Sequence, residues 1–127
     1  MVRLKALNPE EATGKSKELF DGIQKKLGSV PNIMRAMGNS PALLQGYLSL
    51  SDALGTGTLG AKTGELIALA VAQENTCDYC LSAHSFIGGK MLNIDEEALT
   101  LARQGKNEDS KIQAALTFAK TLVSKRG

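Results

Sequence analysis

Residues 61–74 form the most apolar segment of the chain, and they constrain the rest. Leu66, Ile67, Leu69, Ala70 and Val71 spread, at helical pitch, around most of a helix circumference. A helix apolar on so many sides has to be enclosed by other elements. The remaining sequence offers helices for that task. Asn8-Pro9 reads as a helix start, an N-cap followed by proline at the first helical position. Glu10 and Glu11 then fall where the helix dipole favours negative charge. Leu19, Phe20, Ile23 and Leu27 recur at helical spacing up to a stop at Gly28. A short helix from Pro31 carries Ile33, Met34 and Met37 to about Gly38. Asn39-Ser40-Pro41 opens a third, to about residues 51–54, with Leu43, Leu44, Tyr47 and Leu48 as its apolar side. Residues 55–60 are too rich in glycine for helix and read as a flexible loop.

Beyond the apolar segment, Asn75-Thr76 breaks the pattern and caps a new helix from Cys77. Gly88-Gly89 ends that helical pattern or comes close to ending it. Asn93-Ile94-Asp95 starts another, serving Ala98, Leu99, Leu101 and Ala102 before Gly105. Asp109-Ser110 opens the last, with Ile112, Ala115, Leu116, Ala119, Leu122 and Val123 on one stripe. No strand pattern, hairpin turn or internal repeat competes. The expected fold class is all-α, with residues 1–127 as a single domain of about six to seven helices. Nothing after the last helix covers its apolar stripe, so either neighbouring subunits cover it or the chain is a fragment.

Composition narrows the partners. The net charge is +2, and the 15 Lys and Arg residues are scattered. No basic patch for nucleic acid or anionic lipid follows from that. The N-terminus has no apolar run of a secretory signal, and no segment approaches the ~20 apolar residues of a membrane span. The expectation is a cytoplasmic protein with no nucleic-acid or membrane partner. Its two cysteines, three residues apart, would close too short a loop to staple a fold.

Those cysteines, Cys77 and Cys80, lie beside the only histidine, His84, in the order C-x-x-C-x-x-x-H. On one helix the three fall within roughly 60° of each other, forming a strip. Two thiols one turn apart at a helix N-terminus can reach bonding distance, and the dipole there favours thiolate, the species that attacks peroxides and disulfides. His84 can relay a proton to them. Glu65 precedes Cys77 by twelve residues. It lies near a helix start, where a carboxylate commonly only compensates the dipole. The break at residues 75–76 prevents helical phase from aligning it with the thiols, so tertiary packing alone could do so. Three readings stay open on these residues. One is a redox dithiol, one a zinc site of two Cys, one His and a carboxylate, and one an inert pair. Three ligands crowded on one strip, with no second Cys or His pair, weigh against zinc.

The run E-L-I-A-L-A-V-A-x-x-N-x-C-D-Y-C-x-x-A-H resembles the AhpD-like alkylhydroperoxidases of the carboxymuconolactone decarboxylase superfamily. Their motif is a Glu, twelve residues to a Cys, then C-x-x-C-x-x-x-H, and Glu65, Cys77, Cys80 and His84 match each spacing. The likeness extends upstream through LGSVPNIMRAMGNSPALLQGYL and downstream over residues 109–125. It implies an AhpD-like helical domain with the C-x-x-C at the N-terminus of a central helix. It also implies a thiol peroxidase in which Cys80 attacks the peroxide and Cys77 resolves the resulting sulfenic acid. Glu65 would be the base, acting through water, with His84 and Tyr79 completing the relay. Dipole reasoning alone selects Cys77 as the attacking thiol. The implied partners are a small hydroperoxide and an external dithiol from a lipoyl or thioredoxin-like protein. The family works without metal, haem or flavin and forms trimers or hexamers. Tyr79 stands where the best-studied branch has histidine, and a phenol is a poorer base than imidazole at neutral pH. Close relatives continue with further helices past the equivalent of Gly127. The resemblance leaves two other functions in view, a decarboxylase-type lyase and a non-enzymatic redox-sensing or assembly module.

Overall fold

A computed structural model of the protein describes residues 3–127. Seven α-helices and one π-turn follow in order: α1 (Gly14–Leu27), α2 (Asn32–Met37), α3 (Pro41–Gly55), α4 (Gly60–Glu74), α5 (Asp78–Phe86), the π-turn (Ile87–Met91), α6 (Glu96–Arg103) and α7 (Ser110–Lys125). There is no strand among the described residues, and the fold is all-α. No described helix is long and apolar enough to cross a membrane. The chain divides into two compact units, one ending at Thr56 and the other beginning at Gly57.

In the first unit Phe20, Ile23 and Leu44 are buried, with Met34, Met37 and Leu48 packed against them. Gly38 lets the backbone close on this core. A Cβ there would lie 2.3 Å from the Phe20 ring. The Ser16 hydroxyl, buried under the same turn, donates to the Gly38 carbonyl at 2.7 Å.

The predicted start at Asn8-Pro9 is a turn instead of a helix. Asn8 Oδ1 accepts the Glu10 N–H at 3.2 Å, as a cap side chain would, and the Asn8 carbonyl accepts the Glu11 and Ala12 N–H groups at 3.1 and 3.0 Å. The chain then leaves helical space. Thr13 is extended and Gly14 takes φ +56°, and helix α1 begins only at Gly14. The left-handed turn, which glycine adopts without a Cβ penalty, separates the two.

The second unit is built around α4, as the apolar segment predicts. Leu66, Leu69 and Ala70 of α4 are buried with Leu99 and Ala102 of α6 and Leu116 of α7. Leu81 of α5 and Ile112 of α7 pack at the margin. The predicted stripe of α7 is turned inward except at Leu122, which is exposed together with Phe118.

Gly88-Gly89 lies close to the end of the helical run, as expected: α5 ends at Phe86 and the run stops at Met91. The backbone widens into the π-turn, with Leu92 N–H donating to Ile87 O at 3.1 Å and Ile94 N–H to Gly88 O at 2.9 Å. Packing explains the glycine. Gly88 is buried, and a Cβ on it would stand 2.8 Å from Leu99 Cδ2.

Candidate functional site

Helix α4 ends in a Schellman motif. Thr76 takes the left-handed conformation at φ 49°, its N–H donates to Gln73 O at 3.1 Å, and Cys77 N–H donates to Ala72 O at 3.0 Å. Cys77 is therefore the last residue tied to α4. It is also the N-cap of α5, where its sulfur accepts the Cys80 N–H at 3.3 Å. Two helices meet with a single cysteine as the hinge between them.

Cys77 and Cys80 are joined in a disulfide across the first turn of α5, and both residues are half-buried. Their environment is the N-terminus of α5, where unpaired N–H groups favour negative charge on sulfur. Asp78 lies in the same turn and is exposed. Tyr79, between the sulfurs in sequence, is 48% exposed. No hydrogen bond ties its hydroxyl to a described residue.

The two acid–base residues come together. His84 Nδ1 lies 2.7 Å from Glu65 Oε2, with the carboxylate more deeply set than the imidazole. Glu65 lies near the start of α4 but not in its first turn. Helix α4 begins at Gly60, so Glu65 sits in its second turn, beyond most of the dipole's reach. Its partner is the imidazole, brought by the packing of α5 on α4. A carboxylate bound to one ring nitrogen fixes the ring's orientation and leaves the other nitrogen for proton transfer. Among the described residues no three His, Cys, Asp or Glu side chains converge as metal ligands would.

An all-helical unit with a paired Cys-x-x-Cys at a helix start, one turn from a carboxylate–imidazole pair, defines the class of the fold and site. The model of the carboxymuconolactone decarboxylase family matches residues 41–120, more than half the chain, and the chain belongs to that family. An uncharacterized protein of Haemophilus influenzae (strain ATCC 51907 / DSM 11121 / KW20 / Rd) is 52% identical over 46 residues. That match covers 35% of this chain and 41% of the relative's own length.

Proposed function

We propose that the protein is a thiol-dependent peroxidase that reduces small hydroperoxides by cycling Cys77 and Cys80 between dithiol and disulfide. The observation carrying this reading is the 2.7 Å contact between Glu65 and His84, set one helical turn from Cys80. An isolated disulfide needs no such pair. A thiol that must lose a proton and then pass one to a leaving alkoxide does.

In this reading Glu65 and His84, with water, take the proton from Cys80. His84 follows Cys80 by four residues and Cys77 by seven, so one helical turn favours Cys80 as the attacking sulfur. The Cys80 thiolate displaces alkoxide from the hydroperoxide and becomes a sulfenic acid, and the alkoxide collects the proton as an alcohol. Cys77 attacks the sulfenic sulfur, water leaves, and the disulfide forms. An external dithiol, lipoyl or thioredoxin-like, then reduces the disulfide and is itself oxidised. The Cys80 N–H directed at Cys77 Sγ stabilises charge on Cys77 when that sulfur departs. Tyr79, exposed at the same turn, is the third member of the relay in this reading. Assembly into a trimer or hexamer and action in the cytoplasm belong to the same proposal, and sedimentation of the full chain tests the first.

The decisive assay is hydroperoxide consumption with a panel of reductants that includes dihydrolipoamide and thioredoxin. Cys80→Ser abolishes consumption. Cys77→Ser stops after one turnover, with a sulfenic acid that a dimedone-type reagent traps. Exchanged phenotypes would reverse the roles of the two cysteines. Undiminished consumption with both replaced would remove the peroxidase reading.

A further inference from the structure

A second feature of the Gly57–Gly127 unit takes no part in the thiol chemistry. A cavity of about 440 Å³ opens between the end of α5, the π-turn and α6. That volume is in the range of small-molecule sites, about 300–1,000 Å³. Phe86, Ile94 and Leu99 supply an apolar lining. Arg103 and Lys90 bring two cations to the wall, and Glu96 brings one carboxylate.

Arg103 is incompletely satisfied. Its Nη2 donates to Ser85 Oγ, and its Nε is buried without a hydrogen-bond partner. Ser85 Oγ spends its own hydrogen on Leu81 O at 2.6 Å, which turns its lone pairs toward the guanidinium. Among the described residues no ion pair joins Arg103 or Lys90 to a carboxylate, Glu96 included. A guanidinium carries five N–H donors, and one neutral hydroxyl is a poor match for its charge. Part-burying a cation without a counter-charge is costly, and the fork of N–H groups fits a planar carboxylate best.

We propose that this cavity binds a small organic acid, a single carboxylate on an apolar body. The carboxylate pairs with Arg103, Lys90 adds long-range attraction, and the apolar body lies against Phe86, Ile94 and Leu99. The proposal goes beyond the peroxidase reading and does not depend on it, because its test reads binding alone.

Calorimetric titration of the full, disulfide-bonded chain with 4-phenylbutyrate, its primary amide and inorganic phosphate tests it. The acid binds with a dissociation constant of about 1 mM or below, and the amide about tenfold more weakly. Amide resonances of Ser85, Gly89 and Thr100 shift with the acid, while phosphate gives no saturable binding. Arg103→Gln weakens the acid by about tenfold or more, and Phe86→Ala by about threefold or more. Equal affinity for acid and amide would overturn the proposal. So would phosphate binding as tightly as the acid, undiminished affinity in a folded Arg103→Gln chain, or no saturable binding of the acid. Should Arg103→Gln fail to fold, the acid–amide comparison and the resonance map in the unaltered chain still decide it.

Discussion

Helix α5 has an irregular joint at each end, and the two are made differently. At its entry, Thr76 holds a left-handed turn that glycine usually fills, and the next residue is Cys77. At its exit, Gly88 needs no left-handed backbone, and the π-turn forms around it. The entry joint is governed by backbone geometry. It must end α4 and cap α5 within three residues, so that one sulfur lies on the first turn of the new helix. The exit joint is governed by packing, because Leu99 fills the space a Cβ would need. An irregular backbone beside a reactive group and an irregular backbone beside a core leucine therefore respond to different substitutions.

The largest expected effect separates the two tasks of Cys77 at the entry. Cys77→Ser and Cys77→Ala both end multiple turnover of hydroperoxide. Serine keeps an N-cap acceptor for the Cys80 N–H, whereas alanine lacks one and loses about 1 kcal/mol in denaturant unfolding. Equal stability of the two variants would show that a side-chain acceptor at this position contributes nothing as a cap. Next is Glu65→Gln, expected to slow peroxide reduction by about 10²-fold with helical circular dichroism unchanged. An unaltered rate would reduce Glu65 to a structural partner of His84.

The exit joint responds in stability. Gly88→Ala should destabilise the fold by about 1–3 kcal/mol, as overpacking does, and Leu99→Val in the same chain should recover part of it. Strict additivity of the pair would mean that the two side chains do not compete for space. The smallest effect returns to the entry. Thr76→Gly relieves a left-handed β-branched residue, a cost of about 1–2 kcal/mol, but adds unfolded-state entropy of about 0.4–1 kcal/mol. A net gain of about 0.5–1 kcal/mol is expected from thermal unfolding. Gly105, which ends α6 in the same motif at φ +76°, provides the converse. Gly105→Ala should lose stability, since its Cβ would also meet Lys120 Cδ at 2.6 Å.

Local chemistry was readable where a side chain completes its own helix. Ser40, Asp95 and Asp109 each accept an N–H of the first turn that follows, as their positions predict. Asn8-Pro9 carries the same signature and does accept N–H groups, yet extended Thr13 and left-handed Gly14 stop the turn from continuing. Gly88-Gly89 does lie near the end of its helical run, but spacing cannot reveal that Leu99, eleven residues on, occupies the missing Cβ position. The contact between Glu65 and His84 crosses the break at Thr76, and no periodicity extends across such a break. Only the family motif pairs those two residues in the sequence. Arg103 and Ser85 stand in no repeating relation, and the cavity they border could not be read from the chain.

The Cα atoms of Cys77 and Cys80 are 5.3 Å apart. Three steps along an α-helix already set two Cα atoms about 5 Å apart. Opening or closing the sulfur bridge therefore asks almost nothing of the main chain. A sensor needs the reverse, a bond whose formation drags a segment into a new position that a partner can recognise. A pair that can be oxidised and reduced in place has little to announce and little of the main chain to rebuild between its two states.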